Sequence, residues 1–198
     1  KILEENLLVS LSFDNRDGYV WHNGNYVDWK DAGVHVLNHG LHYASCVFEG
    51  ERAYNGKIFE SEKHTERLFY SAKSLDMKIP FSQKEILEAK NTLLKKNSFS
   101  DAYVRPVVWR GSEMMAVSAQ STKINVAIAA WEWPSYFDPD QKMQGIKLDI
   151  AKWRRPSPEC GPVHAKAAGL YMICTLSKHE AEAKGYSDAL MLDYRGQI

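Results

Sequence analysis

Two Asn-Gly dipeptides set the first constraint on this chain. Asn-Gly supports the positive backbone angles of a two-residue hairpin turn, and each copy sits between aromatic and β-branched runs. Tyr19 to Trp29 reads YVWHNGNYVDW; farther on, Cys46-Val47-Phe48 and Arg52-Ala53-Tyr54 lead through Asn55-Gly56 into Lys57-Ile58-Phe59. Both stretches are expected to form antiparallel strands, which removes all-helical folds. The next segments read as helices. Ser61 to Met77 places Leu68, Ala72 and Leu75 on one face, and Ser82 with Glu85 three residues on is a capping box. Ile86, Leu87, Ala89, Leu93 and Leu94 give that second helix an apolar stripe. Tyr103 to Trp109 and Ile124 to Trp133 are rich enough in β-branched and aromatic residues to be strands, with Pro106 pushing the first toward an edge or a strand end. Strands and helices in separate runs make the fold class α+β.

WRRPSPECGPVH, from Trp153 to His164, carries three of the chain's seven prolines and Gly161, so it is expected to be neither helix nor central strand. Trp133 to His164 is read as the region joining two domains. Beyond it, Ala165 to Lys184 is expected to be helical with Gly185 as its cap, and Ala189 to Leu192 to be a buried strand.

Composition narrows the function. The 198 residues carry 25 basic and 25 acidic side chains, so the clustered positive charge that nucleic-acid and anionic-membrane binders use is missing, and neither partner is expected. The longest apolar run, Val126 to Trp131, is far shorter than the roughly 18 residues of a membrane span. The opening KILEENLLVS lacks the order of a signal peptide, and Cys46, Cys160 and Cys174 show no metal-like spacing, so the expected compartment is the cytoplasm. Dinucleotide, P-loop, nucleophile-elbow and zinc-peptidase motifs are all absent.

Three groups of residues then compete with plainer explanations. His35, His39 and His42 have a spacing that would serve a metal on a helix, but Gly33, Asn38 and Gly40 favour a loop whose imidazoles bond to backbone groups, and no metal is expected. Tyr43, Phe48, Tyr103, Trp131, Trp133, Tyr136 and Tyr171 fall near predicted strand ends or in the joining region, where aromatic residues commonly serve as core. Arg105 is different, because a guanidinium inside Tyr-Val-Arg-Pro-Val-Val must reach solvent or pair with an anion. Lys166 would be an ordinary surface lysine but for its expected place at a helix start against Pro162 and Leu170, a setting that disfavours an ammonium and suits a Schiff-base nucleophile. In the plain alternative Lys166 is solvated, the aromatics form an interface and the chain is a cofactor-free oligomerisation fragment.

These residues meet a family. WHNGNYVDW, HVLNHGLHYASCVFEGERAY, HTERLFYSAK, AYVRPVVWRG, AIAAWEWPSY, WRRPSPECGPVHAKAAGLY and GYSDALMLDYRGQI, in this order from Tyr19 to Ile198, resemble the fold-type IV pyridoxal-phosphate aminotransferases, and among them the branched-chain amino acid aminotransferases. D-Amino acid aminotransferases and aminodeoxychorismate lyases share the lysine and the phosphate-binding arginine, while FEGERAY and AYVRP favour the branched-chain class.

The resemblance implies a two-domain fold like that of D-amino acid aminotransferase: 1–135 as the small N-terminal α+β domain, 136–164 as the connection and start of the large domain, and 165–198 as the beginning of the cofactor-binding domain. In the family an acidic residue that holds the pyridine nitrogen, and further phosphate loops, come after the segment matching Gly196 to Ile198, so the large domain is expected to be truncated here. By the same resemblance Lys166 forms a Schiff base with pyridoxal 5'-phosphate and carries the catalytic proton, Tyr171 hydrogen-bonds the cofactor's phenolate oxygen, and Arg67 binds its phosphate. Phe48, Tyr103, Arg105, Trp133, Tyr136 and Tyr171 line the substrate pocket, with Arg105 near the γ-carboxylate of glutamate. Tyr43 reaches the active site of a neighbouring copy in a homodimer or larger assembly. The implied reaction is ping-pong transamination of leucine, isoleucine or valine with 2-oxoglutarate, giving branched 2-oxo acids and glutamate.

Overall fold

The computed structural model describes residues 12–132 and 143–198. Both Asn-Gly hairpins form. Strands β1 (Tyr19–His22) and β2 (Asn25–Asp28) turn through Asn23 and Gly24 at φ 48° and 93°, and β4 (Glu51–Tyr54) turns into β5 (Lys57–Ile58) through Asn55 and Gly56 at φ 50° and 72°. Between the hairpins lie a short helix α1 (His39–Tyr43) and strand β3 (Cys46–Phe48). Helix α2 (Ser61–Ser74) stops three residues before the predicted end because the chain turns at Asp76, where φ is 54°. Helix α3 (Gln83–Lys96) starts at the predicted capping box, with the Ser82 hydroxyl accepting from the Glu85 N–H.

With β6 (Ala102–Arg110) and β7 (Ile124–Trp131) these strands form a seven-stranded sheet ordered β2-β1-β7-β6-β4-β5, with β3 also beside β6. Pro106 does not mark an edge. It sits mid-way along β6, which pairs over eight positions with β7 and on its other side with β3 and β4. The proline is tolerated because its ring nitrogen faces the Glu49-Gly50 stretch, where the Glu49 N–H still donates to the Pro106 carbonyl at 2.9 Å. Register is unchanged across that gap: Phe48 faces Val107 and Glu51 faces Val104, so β3 and β4 run as one strand.

The pleat then divides the sheet. Val47, Glu49 and Ala53 are fully buried and Glu51 nearly so, all on the face covered by α2 and α3. Val104, Val108, Val126, Ile128 and Ala130 join them with Leu68, Ala72, Ile86, Leu93 and Leu94 in one core. Phe48, Tyr103, Arg105 and Val107 point to the opposite face.

Lys90 of α3 is fully buried, although the apolar stripe gave no hint of a cation there. Its Nζ donates to both Glu51 oxygens at 2.8 and 2.9 Å, to Thr65 Oγ1 at 2.7 Å and to Ser61 Oγ at 3.1 Å. Burial pushes Lys90 down and Glu51 up, each toward its neutral form, and their mutual attraction opposes both shifts.

After residue 142 the chain forms β8 (Leu148–Ile150), helix α4 (Met172–Ala183) and β9 (Asp188–Leu190), with β8 and β9 paired in parallel and α4 packed against both. The predicted helix from Ala165 begins seven residues late, at Met172: Ala165 to Ala167 stay non-helical and Ala168–Leu170 is a single 3-10 turn. Pairing of Ala167 with Val47 and the bond from the Lys166 N–H to Ser71 hold this segment, and Gly169 passes so close to Ala44 that an added Cβ would lie 3.0 Å from the Ala44 methyl. Strand β8 escaped the sequence reading because three residues, Leu-Asp-Ile, carry too little pattern. No helix among the described residues is long and apolar enough to cross a membrane.

Removing one partner of a buried ion pair strands the other. Lys90→Ala is therefore expected to lower unfolding free energy by about 3–5 kcal/mol, read by urea denaturation.

Candidate active site

The site lies where the edge of β3 meets the segment before α4. Ala167 bridges to Val47, the Phe48 N–H donates to the Lys166 carbonyl at 3.2 Å, and the Lys166 N–H donates to Ser71 Oγ of α2 at 2.9 Å. Ser71 is fully buried, so both backbone groups of Lys166 are held by elements formed far earlier in the chain. The expected helical setting of Lys166 is thus replaced by an extended one fixed by sheet-edge pairing.

From this seat Lys166 Nζ donates to Tyr171 Oη at 2.6 Å and lies 5.1 Å from the ring centroids of both Phe48 and Tyr171. Phe48 and Tyr171 pack with centroids 4.8 Å apart. Arg105 approaches Phe48 as well, its Cζ 4.7 Å from the ring centre, and its Nη2 donates to Tyr103 Oη at 2.9 Å. Arg105 Nε is buried without a hydrogen-bond partner among the described residues. Beside it a cavity of about 310 Å³ is lined by Arg105, Val107, Trp109, His22 and Ala127. Burial lowers the affinity of His22 for a proton. Tyr103 fits only because residue 50 is glycine: any Cβ there would collide with the Tyr103 hydroxyl.

Arg67 stands on α2 one turn before Ser71, and its Nε and Nη2 donate to Glu49 Oε1 and Oε2 at 2.6 and 2.7 Å. His64 Nδ1 donates to the same carboxylate at 2.9 Å. Burial alone would raise the Glu49 carboxyl, but the hydrogen bonds from Arg67 and His64 outweigh it and hold the group below the ordinary carboxylate range. Arg67 itself is held more firmly protonated by Glu49, with a smaller contribution from Tyr171.

Lys166, Tyr171, Phe48, Tyr103 and Arg105 are therefore gathered into one site, with Arg67 at its margin. Tyr43 is exposed at the end of α1 and stacks on His39 with centroids 4.6 Å apart. Trp133 and Tyr136 lie outside the described residues. The three histidines bond to backbone groups, His39 Nε2 with the Ala116 carbonyl at 3.0 Å, His42 Nε2 with the Val36 carbonyl at 2.9 Å, and His35 Nδ1 with the Leu37 N–H at 3.1 Å. Cys46 is half-buried, and burial pushes its thiol up to about 11. Sequence reasoning passed over Glu49, Ser71 and Lys90. The signal for Glu49 was present: the alternation that buries Val47 and Ala53 places Glu49 and Glu51 on the same face.

The fold and these side chains define a class, and the chain belongs to it: residues 46–198 match the family of class IV amino-transferases. Within the family the chain is 45% identical over 180 residues to the probable branched-chain-amino-acid aminotransferase of Rickettsia typhi, covering 91% of this chain and 61% of that protein. It is 41% identical over 192 residues to the branched-chain-amino-acid aminotransferase of Pseudomonas aeruginosa, covering 95% and 62%. The crystal structure of the T.th. branched-chain amino acid aminotransferase with pyridoxamine 5'-phosphate superposes with a TM-score of 0.87 at 36% identity, covering 91% of this chain and 61% of that one. That enzyme has also been solved complexed with N-(5'-phosphopyridoxyl)-L-glutamate. This chain thus spans about 61% of the length of the Rickettsia typhi and T.th. relatives.

Because the native Glu49 carboxyl is lowered, its contribution to stability is complete above the ordinary carboxylate range and lost as pH falls through and below it. The stability gap between wild type and Glu49→Gln is expected to be widest near neutrality and to close on acidification, measured by denaturant melts across pH.

Proposed function

We propose that the complete protein is a pyridoxal-phosphate-dependent transaminase acting on leucine, isoleucine and valine with 2-oxoglutarate, by a ping-pong mechanism. The observation that carries this reading is the Lys166 amine, placed 2.6 Å from the Tyr171 hydroxyl and against Phe48, the ring that Arg105 also approaches. Amine, phenol and the nearby Arg67 guanidinium form a donor set that suits the cofactor's aldehyde, ring oxygen and phosphate. The two ligands named for the T.th. enzyme, a pyridoxamine phosphate and a phosphopyridoxyl glutamate, support extending the same chemistry to this chain.

When bound, the cofactor supplies a reactive aldehyde and an electron sink for the substrate Cα. Lys166 Nζ is the amine that holds the aldehyde and, once released, moves the proton at Cα. Tyr171 Oη, which accepts from Nζ, would orient the ring oxygen, and Arg67 would hold the phosphate. Phe48 and Tyr103 pack on a branched aliphatic side chain, and Arg105, whose Nε has no hydrogen-bond partner among the described residues, receives the γ-carboxylate of glutamate. By the family resemblance Trp133 and Tyr136 also belong to the substrate-binding set. Val34, Val36, Leu37 and Leu41 are exposed with Tyr43, as are Met114, Met115 and Val117 of the loop whose Ala116 carbonyl bonds His39. Such exposed apolar surface suits a homodimer or larger assembly in which Tyr43 serves a neighbouring site. The three free cysteines accord with a cytoplasmic protein.

The test is borohydride reduction of the full-length product with pyridoxal phosphate, followed by peptide mass spectrometry and assay with L-leucine and D-alanine. An adduct on Lys166 and activity with L-leucine are expected; activity confined to D-alanine would move the protein to a different branch of the family. Arg105→Met is expected to raise the KM for glutamate about 10- to 100-fold while changing the KM for leucine far less, as a lost charged hydrogen bond requires.

A further inference from the structure

Arg67 presents two edges with different surroundings. The Nε and Nη2 edge is bonded to Glu49, whose carboxylate is fully buried, whereas the Arg67 side chain is 50% exposed and its Nη1 makes no hydrogen bond among the described residues. The carboxylate is itself fixed, since it projects from the strand that continues β3 and also receives His64 Nδ1 from the preceding turn of α2. A long, half-exposed arginine ordinarily samples many rotamers, and ordering it around a ligand costs affinity. Here the guanidinium plane is set before any ligand arrives. Its second edge stays open among the described residues.

We propose that Glu49 is a positioning residue that splits the Arg67 fork between two anions, holding one edge so that the other is preorganised for the cofactor's phosphate. This rests on the cofactor reading above and goes beyond it in assigning a role to a buried carboxylate that touches neither cofactor nor substrate. It also requires arginine at position 67. A lysine carries its three donors on one compact, freely rotating ammonium and has no planar fork, so holding Glu49 does not fix the direction of a donor toward the phosphate.

The test compares two ligands that differ only in the anion. The full-length apoprotein is titrated with pyridoxal 5'-phosphate and with pyridoxal, binding being read from quenching of tryptophan fluorescence. Glu49→Gln is expected to weaken pyridoxal phosphate about tenfold or more and to change pyridoxal by less than about twofold. In an Arg67→Ala background the same substitution is expected to have no further effect. Arg67→Lys, which keeps a cation beside Glu49 at a half-exposed position, is expected to lose the preference for the phosphorylated compound. Equal losses for both ligands, a Glu49→Gln effect that persists without Arg67, or an Arg67→Lys protein that keeps the wild-type preference would each overturn the proposal. Wild-type protein that binds neither ligand would overturn the cofactor reading itself, and this proposal with it.

Discussion

Glu49 and Glu51 project from one strand into the helix layer, where neither carboxylate can reach water. Each must therefore be met by a cation, and the helices are placed accordingly. Helix α2 brings Arg67 and His64 to Glu49, and α3 brings Lys90 to Glu51. A carboxylate left unpaired at such depth costs several kcal/mol, so sliding α2 by even one residue along the sheet is strongly opposed. The same register leaves Ser71 one turn beyond Arg67, facing the Lys166 N–H. Charge pairing behind the sheet thus fixes chemistry in front of it.

The strand pleat makes this coupling short. Phe48 and Glu49 are consecutive and point to opposite faces, one toward the amine and Arg105, the other toward Arg67. A single peptide unit links the wall of the proposed substrate pocket to the support of the proposed phosphate anchor. Gly50 follows directly and lets the Tyr103 hydroxyl sit where a side chain would otherwise be, within 2.9 Å of Arg105.

Local signals carried much of this architecture. The Asn-Gly turns and the Ser82 capping box work through neighbouring backbone angles and hydrogen bonds, and they appear where the sequence placed them. Interactions between distant segments were less visible. Pro106 looked like an edge residue because its missing N–H says nothing of which side that gap faces. Ala165 to Leu170 looked helical by composition, yet pairing with β3 and the bond from Lys166 to Ser71 hold it out of the α-helix. Lys90 was hidden in the same way: within its own helix it reads as a charge beside an apolar stripe, and Glu51, 39 residues earlier, with Ser61 and Thr65 of α2, gives it a buried place. For the site, family resemblance named the residues proposed to touch ligands, whereas the roles of Glu49 and Ser71 in holding those residues came into view with the fold.

The clamp on Lys166 has a consequence for the order of events during synthesis. Its amide partner, Ser71, precedes it by 95 residues, and its carbonyl partner, Phe48, comes earlier still. A chain leaving the ribosome from its N-terminus exposes the sheet and α2 well before the lysine emerges, and N-terminal units tend to fold first. The seat is therefore available when its occupant arrives, and the docking of Ala165 to Ala167 onto a finished edge closes the longest loop of the site last.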